Sequence, residues 1–359
     1  MLSMLGGSSQ TRFEVRADHQ IGECRRAAQR LAQASGFDET AVGRVGIVAS
    51  ELATNLVRHG GGGELLLQSL AAQGDVQVEL LAIDQGPGMA DVRRCLQDGY
   101  SSGGTHGEGL GAVRRLSSAF DIYSTVGRGT VVLARLRDGA DALPGASRGA
   151  AGAARAGRAD PLELGAVCMA MPGEIECGDS WHVASDGQAC AMLVVDGLGH
   201  GPFAAAAARA AGNCFTAEPF RSPLDALQHM HRAVGGTRGA AAACALLPAS
   251  SQTLEYAGIG NIAGHIISPQ RSLGMVSHNG TLGSQLLRVQ QFSYPWPPEA
   301  LLVMHSDGLA TRWSVSAYEG LHTHHSAVIA GVLYRDYRRG RDDATVLVLA
   351  RRAPGGAVQ

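Results

Sequence analysis

The stretch 51–60 carries two polar side chains whose types and spacing suit a bound metal ion. Glu51 and Asn55 are four residues apart in a helical pattern, so both project from one face, and His59 follows one step further along it. A carboxylate and a carboxamide on a half-buried helix face can hold a hydrated cation and a water molecule. Taken alone, the stretch favours a plainer interpretation, an amphipathic helix with a solvated polar face.

A second polar pattern follows a predicted strand. Asp84 ends the strand pattern 76–83 and precedes Gly86 and Gly88, which flank a proline. An acid at a strand end can accept a hydrogen bond from an exocyclic amine, and glycines let the backbone approach a ring closely. An ordinary turn is the alternative interpretation, because Gly-Pro-Gly is strong turn chemistry.

A glycine-rich run, with Gly107, Gly109 and Gly111, opens the next helical pattern. The free N–H groups and the dipole of a helix start favour a bound phosphate. The elements predicted to position the three patterns are helices 18–35, 38–59 and 113–116 and strands 12–16, 65–70, 76–83, 119–124 and 129–136.

The three patterns occur in a fixed order within 11–137, and together they resemble the Bergerat ATP-binding fold of the GHKL superfamily. The similarity is closest to the serine-kinase and anti-sigma branch of RsbW and RsbT. It implies ATP and Mg²⁺ as cofactors, with Asn55 as a magnesium ligand and Glu51 as the base that activates a protein serine. It also implies these nucleotide contacts: Asp84 to the adenine amine, Gly86 and Gly88 along the adenine pocket, Gly107, Gly109 and Gly111 around the phosphates, and Thr130 near the base.

Four acids of the second half stand at strand or loop ends, each beside a glycine or another acid: Asp179, Asp196, Asp307 and Asp342. Several carboxylates that converge without a lysine imply bound hard cations, because like charges a few ångströms apart need neutralising. Two such cations can activate a water molecule for attack on phosphorus. For any one acid, capping a turn is the alternative interpretation.

In sequence order, these acids and their glycines resemble the type 2C (PPM) serine/threonine phosphatases of the SpoIIE branch, in a compact form similar to RsbX. The resemblance implies two Mn²⁺ or Mg²⁺ ions and makes Asp196 the bridging, catalytic residue. Gly197 would supply a backbone carbonyl, and Asp179, Asp307 and Asp342 would complete the metal site. Asp343 would support these ligands or bind a third ion.

Some positions depart from that pattern. Cys177 stands where the branch usually has a glycine, and Leu198 replaces the histidine of eukaryotic members, so the acid for the leaving serine is unassigned, with His200 as one candidate substitute. The histidines at 322, 324 and 325 are expected on a solvated loop and helix start rather than at a metal.

Composition excludes several classes of protein. All 30 basic residues are arginine, so no lysine-dependent P-loop, eukaryotic-type kinase or Schiff-base chemistry is available. The net charge of −2 gives no reason to expect nucleic acid or an anionic membrane as a partner. Seven scattered cysteines without a C-x-x-C pair, and the lack of an apolar N-terminal leader or membrane span, favour a cytoplasmic protein.

The sequence therefore predicts an α+β chain of two domains. An N-terminal Bergerat sandwich (11–137), with a mixed sheet and helices on one face, is followed by a flexible Ala/Gly/Arg linker (138–160). A phosphatase-type β-sandwich flanked by helices occupies 161–352. The expected function is partner switching, with phosphorylation and dephosphorylation of a serine on a STAS-domain protein; a homodimer is left open.

Two alternatives remain at this stage. One is a single-activity phosphatase whose ATP-binding domain only senses nucleotide or docks the partner. The other is a non-enzymatic anti-sigma or activator protein.

Overall fold

The structure is a computed structural model that describes residues 3–7 (backbone), 10–72, 75–96, 109–139, 162–269, 271–284 and 289–351. Gly107, the segment 97–108 and nearly all of the predicted linker lie outside the described residues.

The described helices and strands occur in groups along the chain. The helices are α1 (Ile21–Ala34), α2 (Glu39–Arg58), α3 (Val92–Cys95), α4 (Gly109–Leu116), α5 (Pro202–Ala217), α6 (Pro223–Ala233) and α7 (Ser326–Tyr337). The strands are β1 (Ser3–Gly7), β2 (Thr11–Val15), β3 (Gly63–Ala72), β4 (Asp75–Asp84), β5 (Ala119–Thr125), β6 (Gly129–Arg137), β7 (Leu162–Met169), β8 (Asp179–Ser185), β9 (Ala189–Gly197), β10 (Ala240–Pro248), β11 (Thr253–Ile259), β12 (Ala263–Ile267), β13 (Ser272–Met275), β14 (Ser277–His278), β15 (Phe292–Pro295), β16 (Leu301–His305) and β17 (Ala344–Arg351).

The described residues form two compact units, and each unit is built from more than one segment of the chain. The N-terminal unit contains residues 11–139 and 323–335, and the C-terminal unit contains β1, residue 10, 162–322 and 336–351. The predicted ranges 11–137 and 161–352 placed 323–335 with the phosphatase part, whereas these residues pack in the N-terminal unit. A pattern of apolar residues marks a helix as buried but does not say which sheet buries it, which accounts for the difference.

The N-terminal unit is a five-stranded sheet in the order β2-β3-β4-β6-β5. The predicted mixed sheet is wrong in this detail, because every pairing is antiparallel: β3–β4 and β5–β6 are hairpins, and β6 inserts beside β4. The register of β4 against β6 places Ile83 opposite Val131, and therefore brings the ends of the two strands together.

Helices α1, α2 and α4 cover one face of this sheet. The N-terminus of α2 is capped by Asp38, whose carboxylate accepts a hydrogen bond from the Ala41 N–H at 2.6 Å. Apolar side chains three or four residues apart then bury one side of α2, including Val45, Leu52 and Leu56. The opposite side of α2 is left to carry polar residues.

The second face of the same sheet is also apolar, because its strands contain continuous runs of apolar residues rather than an alternation. Leu66, Leu81, Val131 and Leu133 are buried, although they point away from the face that α1 and α2 cover. Part of this second face is covered by the segment 323–335: a Cβ placed on Gly331 of α7 would lie 2.9 Å from the Val131 side chain and 3.1 Å from that of Leu81.

The C-terminal unit contains two sheets. One has the order β1-β8-β9-β10-β11-β14, with β15 also paired to β11, and the other has the order β13-β12-β16-β17-β7. Helices α5 and α6 bury their apolar sides, including Ala208 and Leu227, against Leu193 and Val195 of the first sheet. Residues 285–288 lie outside the described part of the chain, and β15 follows at Phe292–Pro295.

Candidate nucleotide and metal sites

The first site of the N-terminal unit forms where α2 meets the start of α4. A Cβ placed on Gly109 would lie 3.0 Å from Glu51 Oε2 and 3.8 Å from Asn55 Oδ1, so the first residue of α4 lies directly against both polar side chains. The Asn55 Nδ2 atom is buried and has no hydrogen-bond partner among the described residues. A buried amide without a partner is costly unless a ligand or water satisfies it, so this atom suits a site that is completed by a bound group.

The second part of the site is centred on Asp84, the last residue of β4. Asp84 Oδ1 accepts hydrogen bonds from the N–H groups of Gly86 at 2.9 Å and Thr130 at 3.1 Å. Burial raises the pKa of this carboxyl, while the two N–H groups and the Arg335 guanidinium oppose the shift. None of the described residues donates a hydrogen bond to Asp84 Oδ2, so this oxygen can accept one from a ligand.

The glycines around Asp84 allow close approach of backbone segments. A Cβ on Gly86 would lie 2.7 Å from the Gly60 carbonyl oxygen, just after α2. Gly88 has φ +68°, and a Cβ there would overlap the Thr125 carbonyl oxygen. The packing of the loop therefore requires both glycines.

Thr130 is buried behind Asp84. Its hydroxyl lies 2.9 Å from Ser124 Oγ, which also accepts a hydrogen bond from the Met89 N–H at 2.8 Å. Thr130 therefore ties the loop 85–89 to β5 and β6, and its backbone N–H holds Asp84.

In the C-terminal unit, strand register brings the acidic residues together. Asp179 of β8 is the register partner of Asp196 of β9. Asp307 lies two residues after β16, and Asp342 lies two residues before β17, its antiparallel neighbour. Strand register therefore places Asp179 beside Asp196 in one sheet and brings Asp307 and Asp342 to the same end of two neighbouring strands in the other.

Electrostatic repulsion between these carboxylates is visible in their pKa values. Burial, followed by repulsion from Asp307 and Asp342, raises the pKa of Asp196 to about 7. Burial and the Asp196 charge raise the pKa of Asp179. Burial, and then Asp307, also raise the pKa of Asp342. A hard cation would relieve this repulsion, and carboxylate oxygens are the donors that Mg²⁺ and Mn²⁺ prefer.

Hydrogen bonds from neighbouring residues orient the acids. Ser306 donates to Asp179 Oδ2 at 2.6 Å, and Asn261 donates to Asp307 Oδ2 at 2.6 Å. Asp343 is buried and accepts from the N–H groups of Met171 and Gly178, both at 2.7 Å. Asp343 therefore fixes the loop before Asp179.

Within the described residues, no three His, Cys, Asp or Glu side chains already converge closely enough to hold one ion directly. The donor set nevertheless fits divalent cations, provided that water molecules supply part of the coordination.

Comparison with known proteins gives each unit a family. Residues 13–136 match the histidine kinase-like ATPase domain, and residues 186–352 match the stage II sporulation protein E (SpoIIE) domain. The serine/threonine-protein kinase RsbT of Bacillus subtilis (strain 168) is 32% identical over 127 residues, which are 35% of this chain and 96% of RsbT. The chain belongs to the RsbT family. It also carries a SpoIIE-type serine phosphatase domain.

Two solved structures are also similar to this chain. One comes from work on the bacterial stressosome as a modular system adapted to control secondary messenger signalling; it is 29% identical with a TM-score of 0.49, and covers 52% of this chain and 98% of that one. The other is RsbX in complex with magnesium, which is 20% identical with a TM-score of 0.47, and covers 53% of this chain and 94% of that one.

The RsbT-like unit brings together most of the residues predicted for its site. Glu51, Asn55 and Gly109 meet at one end, and Asp84, Gly86, Gly88 and Thr130 meet at the other. Gly111 is buried within α4, and Gly107 lies outside the described residues. Sequence reasoning missed Ser124, whose role depends on the β5–β6 register, and Arg335, which is 251 positions from Asp84 and gave no indication of its location.

The SpoIIE-type domain places Gly197 at the end of β9, where its N–H donates to the Gly178 carbonyl at 3.0 Å. Sequence reasoning assigned no role to Ser306, which precedes Asp307 in the chain but donates to Asp179, or to Asn261, whose contact with Asp307 joins residues 46 positions apart. Cys177 Sγ lies 3.8 Å from Cys168 Sγ, so the cysteine that replaces the usual glycine packs against a second thiol. His200 Nδ1 lies 2.6 Å from Glu174 Oε1, and Leu198 is exposed.

Of the three histidines expected in a solvated position, His322 is exposed as predicted, whereas His324 is half-buried, with its Nδ1 3.0 Å from Asp121 Oδ1. It serves in packing within the RsbT-like unit. Among the described residues, no helix has both the length and the apolar character that a membrane crossing requires.

Proposed function

We propose that this chain is a bifunctional partner-switching regulator. The N-terminal unit would use ATP to phosphorylate a serine on a STAS-domain protein, and the C-terminal unit would remove a phosphoryl group from the same or a related partner. The observation that carries the proposal is that each family's polar residues meet within their own unit: Glu51 and Asn55 against Gly109, and Asp179 beside Asp196. ATP use and seven free cysteines suit the cytoplasm.

In the kinase reaction, Asp84 would accept a hydrogen bond from the adenine amine through Oδ2, and Asn55 would hold Mg²⁺ through Oδ1. Bound Mg²⁺ would neutralise charge on the transferred phosphoryl group. Glu51 would take the proton of the attacking serine hydroxyl. The N-terminus of α4 lies against Glu51, where its free N–H groups would favour the phosphates of a bound nucleotide.

In the phosphatase reaction, two Mn²⁺ or Mg²⁺ ions would be held by Asp179, Asp196, Asp307, Asp342 and the Gly197 carbonyl. Such ions would supply an activated water molecule and neutralise the phosphoryl oxygens. Ser306 and Asn261 hold Asp179 and Asp307 in position, and Asp343 fixes the loop before Asp179. The Glu174–His200 pair supplies a proton donor close to the acids.

The decisive experiment mixes the purified chain with ATP labelled on the γ-phosphate, Mg²⁺ or Mn²⁺ and a candidate STAS-domain protein. Asp196→Asn should let label accumulate on the partner, and Asn55→Ala in the same background should abolish it. Labelled partner with wild-type chain and no free ATP should lose its label.

Two matched controls keep the result specific. Glu39→Gln removes an exposed carboxylate in the first turn of α2, and Asp186→Asn keeps the side-chain oxygen that accepts from the Gln188 and Ala189 N–H groups in the turn after β8; both should behave like the wild type. If Asp196→Asn binds ATP but transfers no label to any candidate, the kinase part of the proposal is wrong. If the wild type with Mn²⁺ removes no phosphate from phosphoserine partners, the phosphatase part is wrong.

A further inference from the structure

An arginine and an aromatic ring, both exposed, stand together on the surface of the SpoIIE-type domain. Arg238 lies two residues before β10 and is exposed. Phe203, in the first turn of α5, has 66% of its surface exposed. The Arg238 guanidinium lies over the Phe203 ring, with 4.8 Å between Cζ and the ring centroid. This cation–π contact holds a long, flexible side chain near one position on the surface.

Strand pairing places the same arginine beside the proposed metal site. Asp196 of β9 is the register partner of Ala241 of β10. Beyond the end of β9, a Cβ placed on Gly199 would lie 3.0 Å from Arg238 Nη1. The guanidinium therefore lies against the exposed loop that leaves β9, three residues after the proposed metal ligand Asp196.

Arg238 also differs from the charged groups around it, because no carboxylate of the described residues forms an ion pair with it. Glu174 Oε1 lies 2.6 Å from His200 Nδ1, and Glu176 forms an ion pair with Arg209 at 2.7 Å. The exposed acids of the loop before β8 therefore have partners of their own. The N–H donors of Arg238 are available to an anionic group of a ligand.

A ligand of the metal site must pass over this part of the surface. The phosphoryl group itself would be neutralised by the metal ions held at Asp196 and the other acids. The residues beside a phosphoserine lie outside the metal site, and they are the groups that can reach an arginine on the loop after Asp196. A guanidinium recognises a carboxylate through two parallel hydrogen bonds, and a ring beneath it reduces the freedom lost on binding.

We propose that Arg238, held by Phe203, is a specificity-determining residue of the phosphatase domain that pairs with an acidic side chain flanking the phosphoserine of the substrate protein. This inference rests on the proposed metal site at Asp196. It predicts that the domain selects phosphoserines by the charge of the chain around them, in addition to the phosphoryl group.

The test compares hydrolysis of three substrates by the full chain with Mn²⁺. Two are short phosphoserine peptides that differ only in carrying glutamate or glutamine on both sides of the phosphoserine, and the third is para-nitrophenyl phosphate, which has no flanking residues. The wild type should have the lower KM for the glutamate peptide. Arg238→Gln should raise that KM about fivefold with kcat unchanged, the effect of losing one exposed but well-oriented ion pair. The same substitution should change the rates with the other two substrates by less than about twofold.

Binding without turnover provides a second measurement. Fluorescence anisotropy of the labelled peptides with Asp196→Asn, which cannot hydrolyse them, should show weaker binding of the glutamate peptide when Arg238→Gln is added, and no change for the glutamine peptide. The preference for glutamate should also decrease as salt is added, because an exposed ion pair is screened.

The ring and a distant arginine provide matched variants. Phe203→Leu removes the ring and should reproduce part of the increase in KM for the glutamate peptide, whereas Phe203→Tyr keeps an aromatic face and should behave like the wild type. Arg271→Gln changes an exposed arginine just before β13 and should leave every KM unchanged. Thermal unfolding identifies any variant that fails to fold.

A similar loss by Arg238→Gln on all three substrates would assign the arginine to the phosphoryl group or to the fold and would overturn the inference. A wild type that does not distinguish the two peptides would overturn it as well. A wild-type chain that hydrolyses none of the three substrates would instead contradict the proposed function, so the two failures are distinguishable.

Discussion

At the scale of single residues, the acids of the C-terminal unit illustrate how a protein can prepare a cation site at an energetic cost. Asp196 is mostly buried and is repelled by Asp307 and Asp342, which raises its pKa to about 7. Ionised carboxylates in such a position are unfavourable until a cation neutralises them. The same repulsion that disfavours the ion-free site therefore favours metal binding.

The raised pKa of Asp196 predicts how metal affinity depends on pH. Below pH 7 a proton on Asp196 competes with the metal, so the affinity for Mn²⁺ should rise about tenfold per pH unit up to about pH 7 and level off above it. Asn261 donates a hydrogen bond that lowers the pKa of Asp196, so Asn261→Leu should move this midpoint to higher pH. Calorimetric titration with Mn²⁺ at several pH values measures the shift.

The exposed Asn213 of α5 provides the control, since Asn213→Leu should leave the midpoint where it is. An Mn²⁺ affinity that does not vary between pH 5.5 and 7 would mean that Asp196 is not a ligand.

A buried histidine in β8 makes the stability of the fold depend on pH. His182 of β8 is packed against Gly212 and Phe215, and burial lowers its pKa to about 4 from the ordinary 6.5. Because the folded pKa lies below the unfolded one, the stability from burying the neutral ring is complete above pH 6.5 and is lost as the pH falls towards 4. At pH 5 the loss is about 2 kcal/mol.

His182→Leu should therefore leave the free energy of unfolding nearly unchanged at pH 8 and raise it relative to wild type at pH 5. Urea denaturation at both pH values tests this, with the exposed His322→Leu as a control that should have the same effect at each pH. Equal pH dependence in wild type and His182→Leu would contradict the assignment.

At the scale of elements, the loop after β4 depends on backbone proximity that only glycine permits. Gly88 and Gly127 both have a left-handed backbone, with φ of +68° and +75°. A Cβ on Gly88 would overlap the Thr125 carbonyl, whereas a Cβ on Gly127 would meet nothing within 4 Å. Substitutions at the two glycines therefore distinguish the cost of backbone strain from the cost of steric overlap.

Gly127→Ala should destabilise the N-terminal unit by about 1 kcal/mol, the cost of placing alanine in the left-handed region. Gly88→Ala should cost at least about 2 kcal/mol more and should also weaken ATP binding, since the loop must move away from Asp84. Thermal unfolding and nucleotide titration of both variants provide the comparison. Equal stability of the two variants would show that the loop can relax around an added methyl group.

The elements also show which features can be predicted from the sequence alone. Three features could be predicted because each is a local pattern with a chemical meaning: the Glu51–Asn55 spacing, Asp84 with its glycines, and the four acids at strand ends. Local patterns do not specify which strands are neighbours. They therefore could not predict the antiparallel pairing throughout the first sheet, the pairing of β1 with β8 or the location of Ser124. The contact of Gln85 with Arg335 joins residues 250 positions apart, and no periodicity could predict it.

At the scale of the whole molecule, one helix belongs to both parts of the chain. As far as Arg335, α7 packs in the RsbT-like unit, and seven residues later the chain reaches Asp342 of the proposed metal site. If nucleotide binding favours the docked helix through the hydrogen bond from Gln85, beside Asp84, to the Arg335 carbonyl, the two sites are linked, and by thermodynamic reciprocity each ligand must influence the other.

This linkage predicts that nucleotide changes phosphatase activity within a single chain. A non-hydrolysable ATP analogue should slow amide hydrogen exchange in 326–335 and change the rate of hydrolysis of para-nitrophenyl phosphate by about fivefold or more, the usual range for coupling between sites. Asn55→Ala should remove the effect of the analogue by removing its binding. Gln85→Ala loses the hydrogen bond to the Arg335 carbonyl; at an analogue concentration that saturates it, this variant should bind the analogue yet show a smaller effect on both measurements. A hydrolysis rate that does not respond to saturating analogue, with exchange in 326–335 unaltered, would mean that α7 serves only as a packing element and that the two activities are independent.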